Sequence, residues 1–424
     1  MGIKETLEYI HSVKWQGSKP GLERTSELLA GLGNPQDSLK FVHVAGTNGK
    51  GSTAAFIASI LSSAGYRTGL YTSPFILKFN ERMQVDGELI SDEELERFTD
   101  EIRPIANEMI DPPTEFEMIT ALAMKFFLYK NCDIVILEVG MGGELDSTNV
   151  IETPEVAVIT NIGYDHVKEL GPTLPDIAKA KAGIIKGGHV VIYGGAREVE
   201  GVFEKKCAAS NAVLKRADFD RISHEEYTLD RVKMDIEQYG EVELPLIGLY
   251  QPKNAIVAIT AVEILREKGY IISDENIRTG LASVRWPGRF EVLGRDPVFI
   301  IDGAHNPQGM EAAADSLRRH FGGQKINFIV GVLADKDVHT MMEFIAPLAK
   351  VFFAVKPDSP RAMDTEALSA ILSPYKLPVF AYDSIGEAVA GAVDDAGRDG
   401  VVCALGSLYL SGEIRSAYDA LNSG

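Results

Sequence analysis

The chain has 424 residues, of which 45% are hydrophobic and 24% are charged, and its formal net charge is −19. This length is too great for one ordinary hydrophobic core, so we expect a soluble globular protein of two or three domains. The acidic balance excludes general nucleic-acid binding, and it means that backbone amides, a few basic side chains or metal ions must hold any anionic ligand.

Short segments of the sequence bear on compartment and membrane association. No apolar run approaches the roughly 20 residues needed to span a bilayer, and the N-terminal MGIKETLEYIHS has no apolar signal core. The spacing of Cys132, Cys207 and Cys403 fits neither a disulfide framework nor a zinc site. We therefore predict a cytoplasmic protein without a membrane or nucleic-acid partner.

The first half of the chain alternates strand and helix patterns. An opening helical region ends near Gly33, and the predicted strands after it are KFVHVAG, RTGLYTS, CDIVILEVG and EVAVITNIG. Apolar residues at helical spacing predict helices at 53–64 and 115–130. The last two strands are near-continuous apolar runs, as expected for strands covered on both faces. This alternation predicts a doubly wound, mainly parallel α/β sheet.

The second half contains a different pattern and then a second α/β unit. The run DRVKMDIEQYGEVELPL alternates apolar and polar residues, which predicts a small antiparallel sheet at about 193–249. A helix is expected at about 254–268, and SVRWPGRFE then breaks the periodicity. Strands follow at VFIID, INFIVGVL, KVFFAV and GVVCALGS. We predict an N-terminal domain at 1–286 that includes the small sheet, a linker at 287–290 and a Rossmann-like domain at 291–424.

The segment HVAGTNGKGST, residues 43–53, is similar to a phosphate-binding loop. It departs from the usual G-x-x-x-x-G-K-[ST] pattern because Gly51 separates Lys50 from Ser52. Its glycines let backbone amides approach phosphate oxygens, and the positive end of the next helix adds to the attraction. Lys50 supplies a point charge, and Ser52 supplies a hydroxyl suited to Mg²⁺. A structural glycine turn is the alternative, but the order strand, loop, helix favours nucleotide binding.

Polar residues also follow the other predicted strands. Ser73 comes after the second strand, Glu138 ends the third, and His166 comes after the fourth. Ligands of open α/β sheets bind beyond the carboxyl ends of the strands, so we expect these side chains along one rim. A salt-bridged glutamate and a structural histidine are the plain alternatives. The functional interpretation is a divalent-metal site that faces the phosphates.

An ordered set of motifs carries a family resemblance. The motifs are HVAGTNGKGST, YTSPF, NERM, LEVGMGGELDSTN, ITNIGYDH, IAKAKAGIIK, DGAHNPQG, DKD and GSLYLSGEIR. Together they resemble the Mur ligase superfamily, and closely its folylpolyglutamate synthase / dihydrofolate synthase branch, whose loop carries the extra glycine. The resemblance implies a P-loop-containing ATP-binding domain of the Mur central type and a C-terminal glutamate ligase domain. It also implies that ATP phosphorylates a carboxylate, which an amine then attacks.

The resemblance implies roles for matching residues of the N-terminal domain. ATP would be held by Thr47, Asn48, Gly49, Lys50, Gly51, Ser52 and Thr53. Ser52 and Glu138 would bind one Mg²⁺, and Ser73, Glu138 and His166 a second. Lys181, in KAKAGI, matches a lysine that the family carbamylates, a modification that needs a neutral amine. Lys50, His166 and Lys181 are the predicted catalytic groups of this domain, and a monovalent cation is a further candidate.

Matching residues in the rest of the chain also acquire expected roles. Asn254, in YQPKNA, matches the adenine-side segment, and Arg289, in GRFE, matches a linker arginine that reaches the phosphates. Asp302 and His305, in DGAHNP, match residues near the ribose or the incoming amino acid. We count both as catalytic candidates, and Asp302 also as an ATP-binding residue. Lys336, in DKD, is a candidate contact for the amino acid.

Some positions depart from the family pattern. They are Phe75, Glu144, Ala180 and Tyr250. None of them removes a proposed metal ligand. Phe75 and Glu144 are expected nearer the folate, so they bear on the choice of substrate more than on the chemistry.

Three functional hypotheses follow. The leading one is a monomeric ATP-dependent ligase that joins L-glutamate to a folate, by extending the tail of tetrahydrofolate, by converting dihydropteroate to dihydrofolate, or by both. The second is another amide ligase of the superfamily, such as a poly-γ-glutamate synthetase. The third is a nucleotide-binding sensor without catalysis, which the presence of Lys50, Glu138, His166 and Lys181 disfavours.

Overall fold

The fold is described by a computed structural model that covers residues 2–12 and 21–423. The contacts divide the chain into two compact units. The first contains Met1–Arg221, Glu237–Val242 and Lys253–Val284, and the second contains Ile222–Ile236, Glu243–Pro252 and Arg285–Gly424. Within the described residues, no helix is both long enough and apolar enough to cross a bilayer. The predicted domain scheme, with its linker at 287–290, remains a prediction.

An eight-stranded sheet forms the centre of the first unit. Its strands are β1 (Phe41–Ala45), β2 (Thr68–Tyr71), β3 (Met83–Val85), β4 (Glu88–Leu89), β5 (Ile134–Glu138), β6 (Val156–Ile159), β7 (His189–Ile192) and β8 (Val213–Arg216). The order is β4-β3-β2-β5-β1-β6-β7-β8, and only the β2–β3 and β3–β4 pairs are antiparallel. β1, β5 and β6 are buried along their whole length, as their apolar runs predict.

Helices accompany this sheet. They are α1 (Ile3–Ser12), α2 (Glu23–Gly31), α3 (Lys50–Ser63), α4 (Asp92–Glu108), α5 (Glu115–Tyr129), α6 (Val167–Leu170), α7 (Leu174–Ala182), α8 (Arg197–Ala209), α9 (Gln251–Glu267) and α10 (Asp274–Ser283). Reciprocal side-chain and backbone hydrogen bonds cap several of them; in α4, Ser91 and Glu94 form such a box. α3 begins at Lys50, three residues before its predicted start, because Lys50–Ser52, the end of the glycine-rich loop, forms its first turn.

The small antiparallel sheet is shorter than predicted. It has three strands, β9 (Ile222–Tyr227), β10 (Val232–Ile236) and β11 (Gly240–Leu244), in the order β11-β10-β9. The earlier part of the predicted range, 197–216, instead forms α8 and β8, which extend the parallel sheet. Val199, Phe203 and Cys207, four residues apart and buried, are the helical signal in that segment.

The second unit has a six-stranded sheet in the order β12-β13-β17-β14-β15-β16. The strands are β12 (Glu291–Arg295), β13 (Val298–Ile301), β14 (Ile326–Val330), β15 (Ala349–Ala354), β16 (Val379–Ala381) and β17 (Val401–Leu405). The helices are α11 (Pro307–Phe321), α12 (Val338–Ile345), α13 (Thr365–Leu372), α14 (Ile385–Ala396) and α15 (Leu408–Ser423). Every pair except β12–β13 is parallel, which confirms the prediction of a second Rossmann-like α/β unit.

Candidate active site

The glycine-rich loop connects β1 to the N-terminus of α3. Gly49 caps the helix with φ +86°, a conformation that glycine adopts without strain. The Thr53 amide donates to the Gly49 carbonyl at 2.9 Å. The amides of Lys50, Gly51 and Ser52 precede it in the first turn, where a helix offers no backbone acceptor of its own. Such a turn is a ready anion-binding site, as the sequence predicts.

The chain that follows β6 holds this loop in shape. The Thr47 amide donates to the Asn161 carbonyl at 2.8 Å, and the Thr47 hydroxyl donates to the Gly163 carbonyl at 3.0 Å. The Thr160 hydroxyl donates to the Asn48 carbonyl at 2.8 Å. A side chain at Gly46 would overlap Thr160, so only glycine fits at that position. Thr47 and Asn48 therefore shape the loop.

Asn254 lies against the loop as well. It is buried on α9, and a Cβ placed on Gly49 would lie 2.6 Å from the Asn254 Oδ1. The structure thus brings the predicted adenine-side residue next to the residue that caps α3.

Glu138 and Ser73 meet at the ends of neighbouring strands. Glu138 ends β5 and lies opposite Val44 of β1, while Tyr71 of β2 lies opposite Leu137. The Glu138 side chain is buried, and its Oε2 accepts the Ser73 amide at 3.2 Å. The strand order therefore brings Ser73 next to Glu138.

Lys181 is a buried lysine beside the phosphate loop. It lies in α7, is only 5% exposed, and donates from Nζ to the Gly46 carbonyl at 2.8 Å. Burial, aided by the positive charge of Lys50, lowers the pKa of Lys181 from 10.5 to about 7. A substantial fraction of its amine is therefore neutral at physiological pH.

His166 precedes helix α6 and has a strained backbone conformation. Its φ is +51°, which few non-glycine residues adopt, and its amide donates to Asp165 Oδ1 at 2.9 Å. Its ring Nε2 lies 3.9 Å from that same carboxylate oxygen. Asp165 also raises the pKa of Lys181, against the larger effect of burial.

Asp146 organises the loop that follows β5. One of its oxygens accepts the Met141 amide at 2.9 Å, and the other accepts the amide and the hydroxyl of Thr148. Because the Thr148 hydroxyl donates to Asp146, it accepts from His43 Nε2 at 2.9 Å. Burial lowers the pKa of His43 from 6.5 to about 3, so its ring is neutral. These contacts link the strand before the phosphate loop to the loop after Glu138.

A separate polar cluster lies within the second unit. Asp302 follows β13, is buried, and accepts the Tyr250 hydroxyl at 2.9 Å, the Phe290 amide at 2.8 Å and the Ala304 amide at 2.7 Å. Burial raises the pKa of Asp302, while the charge of Arg289 opposes that rise. Asp302 thus connects its own loop to the segments around Tyr250 and Phe290 by hydrogen bonds. Its position in a loop motif does not reveal this structural role.

His305 belongs to the same unit. Its Nδ1 is 2.7 Å from the Gly303 carbonyl, which can only accept, so Nδ1 carries the proton. The carbonyl therefore fixes the ring tautomer of this catalytic candidate. Lys336 lies beside Asp337, which caps α12.

The donor set of the first unit fits Mg²⁺. Ser52 and Ser73 offer hydroxyls and Glu138 a carboxylate, and Mg²⁺ is usually bound by one or two carboxylates together with substrate phosphates. His166 is the weakest member, because Mg²⁺ prefers oxygen to imidazole. Among the residues that the structure describes, no group of three or more His, Cys, Asp and Glu side chains could hold a metal alone.

Several residues that shape the site make contacts that the sequence does not reveal. They are Arg82, Asp146, Thr160, Asp165 and Tyr250. All five lie within quoted motifs, so their position beside predicted ligands was the available signal. The contacts of Thr160 and Tyr250 could not be predicted, because they join segments far apart in the chain.

The fold and the site together define an ATP-dependent ligase. A family model described as the Mur ligase middle domain matches residues 44–262, and one described as the Mur ligase glutamate ligase domain matches residues 288–408. The folylpolyglutamate synthase of Lacticaseibacillus casei is 38% identical over 434 residues, which covers 98% of each chain. The dihydrofolate synthase/folylpolyglutamate synthase of Escherichia coli is 31% identical and covers 99% of this chain and 96% of its own. The chain belongs to the Mur ligase family, in its folylpolyglutamate synthase / dihydrofolate synthase group.

Solved structures of folylpolyglutamate synthases are similar to this chain over almost its whole length. The folylpolyglutamate synthase of Mycobacterium tuberculosis, complexed with ADP and AMPPCP, superposes with a TM-score of 0.90 at 32% identity and covers 98% of each chain. An FPGS–AMPPCP–folate complex superposes with a TM-score of 0.86 at 36% identity and covers 99% of this chain and 100% of that one.

Proposed function

We propose that this chain uses ATP to attach L-glutamate to a folate, either to the tail of tetrahydrofolate or to dihydropteroate, through an acyl phosphate. One observation carries the proposal. The phosphate loop, the half-neutral Lys181 and the Ser73–Glu138 pair come together at adjacent strand ends. Relatives named for both reactions, and a relative's complex with a nucleotide analogue and folate, support the choice of substrate.

The chemistry needs two anions to approach each other. A carboxylate oxygen of the folate or pteroate attacks the γ-phosphorus of ATP, and ADP leaves. The amine of glutamate then attacks the acyl carbon, phosphate leaves with the C–O bond electrons, and the amine loses a proton to give the amide. Lys50 and the amides of residues 48–52 hold the β- and γ-phosphates and neutralise charge that develops there.

Metal binding is assigned to the same rim. Ser52 and Glu138 would hold one Mg²⁺, and Ser73, Glu138 and His166 would hold a second. When bound, these ions supply charge neutralisation between the triphosphate and the carboxylate. Asp165 accepts the backbone amide of His166 and so helps to fix the backbone that carries the ring. A monovalent cation remains an additional candidate.

Lys181 is proposed to be carbamylated. The burial that lowers its pKa supplies the neutral amine that attacks CO₂. The product would be an anionic group at the carbonyl of Gly46, next to the proposed phosphate site. Asn254, Arg289 and Asp302 are proposed to serve ATP binding, and His305, with Asp302, the incoming glutamate. We further propose a monomer that works in the cytoplasm.

Phosphate release separates the candidate activities. ATP is mixed with glutamate and dihydropteroate, and in parallel with glutamate and tetrahydrofolate, and mass spectrometry identifies the products. Release only with dihydropteroate marks a dihydrofolate synthase, and release only with tetrahydrofolate marks a tail-extending enzyme. Silence with both acceptors would contradict the proposal and favour another amide ligase of the family.

A further inference from the structure

The segment after Ser73 is held by two adjacent residues, Glu81 and Arg82. The Glu81 carboxylate accepts three successive backbone amides, those of Ile76 at 2.8 Å, Leu77 at 3.0 Å and Lys78 at 3.0 Å. A carboxylate bound in this way fixes the backbone of the segment, because each contact is a charge-assisted hydrogen bond.

Arg82 holds the side chains of the same segment. Its Nη1 donates to Ser73 Oγ at 3.0 Å, and its guanidinium carbon lies 5.2 Å from the ring centre of Phe75 and 5.6 Å from that of Phe79. Arg82 is only 8% exposed, and its buried Nε has no hydrogen-bond partner within residues 2–12 and 21–423. Burying a cation with an unsatisfied donor costs free energy, which two aromatic rings offset only in part. The position of this side chain therefore carries a cost in stability.

The contacts of Ser73 show what Arg82 achieves. Arginine can only donate, so Ser73 Oγ accepts from it, and the hydroxyl hydrogen must point elsewhere. The Ser73 amide is meanwhile held by Glu138, and the Thr72 amide donates to the Arg82 carbonyl at 3.0 Å. Arg82 thus orients the Ser73 hydroxyl, while Glu138 holds the Ser73 backbone.

We propose that Glu81 and Arg82 are positioning residues for the carboxylate substrate that is to be phosphorylated. Glu81 fixes the backbone of 76–78, and Arg82 orients the Ser73 hydroxyl and the face of Phe75. This inference rests on the proposed function, in which Ser73 helps to hold an ion that neutralises charge between the triphosphate and that substrate. If Glu81 and Arg82 had only a structural role, they would stabilise the segment after Ser73 without changing the affinity for the substrate.

The test uses the full-length protein and equilibrium binding. Arg82→Lys keeps the positive charge but loses the planar face, and Glu81→Gln loses the second acceptor oxygen. Glu94→Gln is the matched control, because Glu94 also accepts a backbone amide, that of Ser91 at 3.1 Å, in the cap of α4. Calorimetry measures the dissociation constants of AMPPCP, and of dihydropteroate and tetrahydrofolate in its presence. Hydrogen exchange follows the amides of 76–78, and thermal melting confirms that each variant is folded.

Both variants should weaken binding of the folate-type ligand by about tenfold or more, the value of one charge-assisted hydrogen bond. AMPPCP affinity should change by less than about twofold, exchange at 76–78 should rise in Glu81→Gln, and Glu94→Gln should match the wild type. Faster exchange with an unchanged ligand affinity would overturn the positioning role while the proposed function stands. A wild-type protein that binds neither ligand would overturn both.

Discussion

Replacing Lys181 with methionine should stabilise the unliganded protein near pH 7 while it abolishes ligation. Lowering the pKa of Lys181 from 10.5 to about 7 by burial corresponds to about 5 kcal/mol of lost stability, at 1.36 kcal/mol per pH unit. Methionine has a similar length and no charge, so it avoids this cost. It leaves the Gly46 carbonyl without the lysine, which costs about 1–3 kcal/mol. The expected net gain is about 2 kcal/mol or more.

The stability difference between Lys181→Met and the wild type should depend on pH. Between pH 7 and 10.5 the unfolded chain keeps the Lys181 proton while the folded chain releases it, so wild-type stability rises with pH in that window. The advantage of Lys181→Met should therefore shrink to about zero by pH 9.5. Urea unfolding in CO₂-free buffer at both pH values measures it, with Lys179→Met as a control on the same helix. A variant that is destabilised at pH 7, or a difference that does not change with pH, would refute the reasoning.

Three further outcomes are expected. Lys50→Ala should abolish phosphate release with either acceptor while the melting temperature stays near that of the wild type; retained turnover would contradict the assignment of the loop. His43→Asn should flatten the loss of stability on acidification, since the unfolded chain takes up a proton below pH 6.5 that the folded His43, with its pKa lowered to about 3, refuses; urea midpoints at pH 5 and 7 measure this, and an unchanged slope would count against it. Tyr250→Phe should leave Asp302 without one of its donors and cost about 1–2 kcal/mol in urea unfolding; an unaffected stability would show that this contact contributes nothing.

Most of the fold could be predicted because buried strands are continuous apolar runs in the sequence. The predicted strands around Phe41–Ala45, Ile134–Glu138 and Val156–Ile159 are apolar on both faces and are confirmed as the centre of the first sheet. The error lay at about 193–216, where helix α8 buries only one residue per turn and the strand after it, β8, is short. This weak helical pattern was assigned to the antiparallel sheet because the clear alternation of Val232–Ile236 follows it.

The polar contacts of the site were harder to predict from the sequence. Strand order puts Ser73 next to Glu138, and the topology rule anticipates that. Nothing in the sequence shows that Lys181 reaches the Gly46 carbonyl or that Arg82 turns towards Ser73, because these contacts depend on how a helix and a short turn pack. Asp302 shows the same limit: an aspartate in a loop motif gives no sign that three donors surround it.

The central claim is that a substrate carboxylate is activated by phosphoryl transfer from ATP. An acceptor carrying oxygen-18 in its reacting carboxylate tests it, with the released phosphate examined by mass spectrometry. Our account expects one labelled oxygen to pass from the carboxylate to inorganic phosphate for each amide that forms. Amide formation with unlabelled phosphate would contradict it.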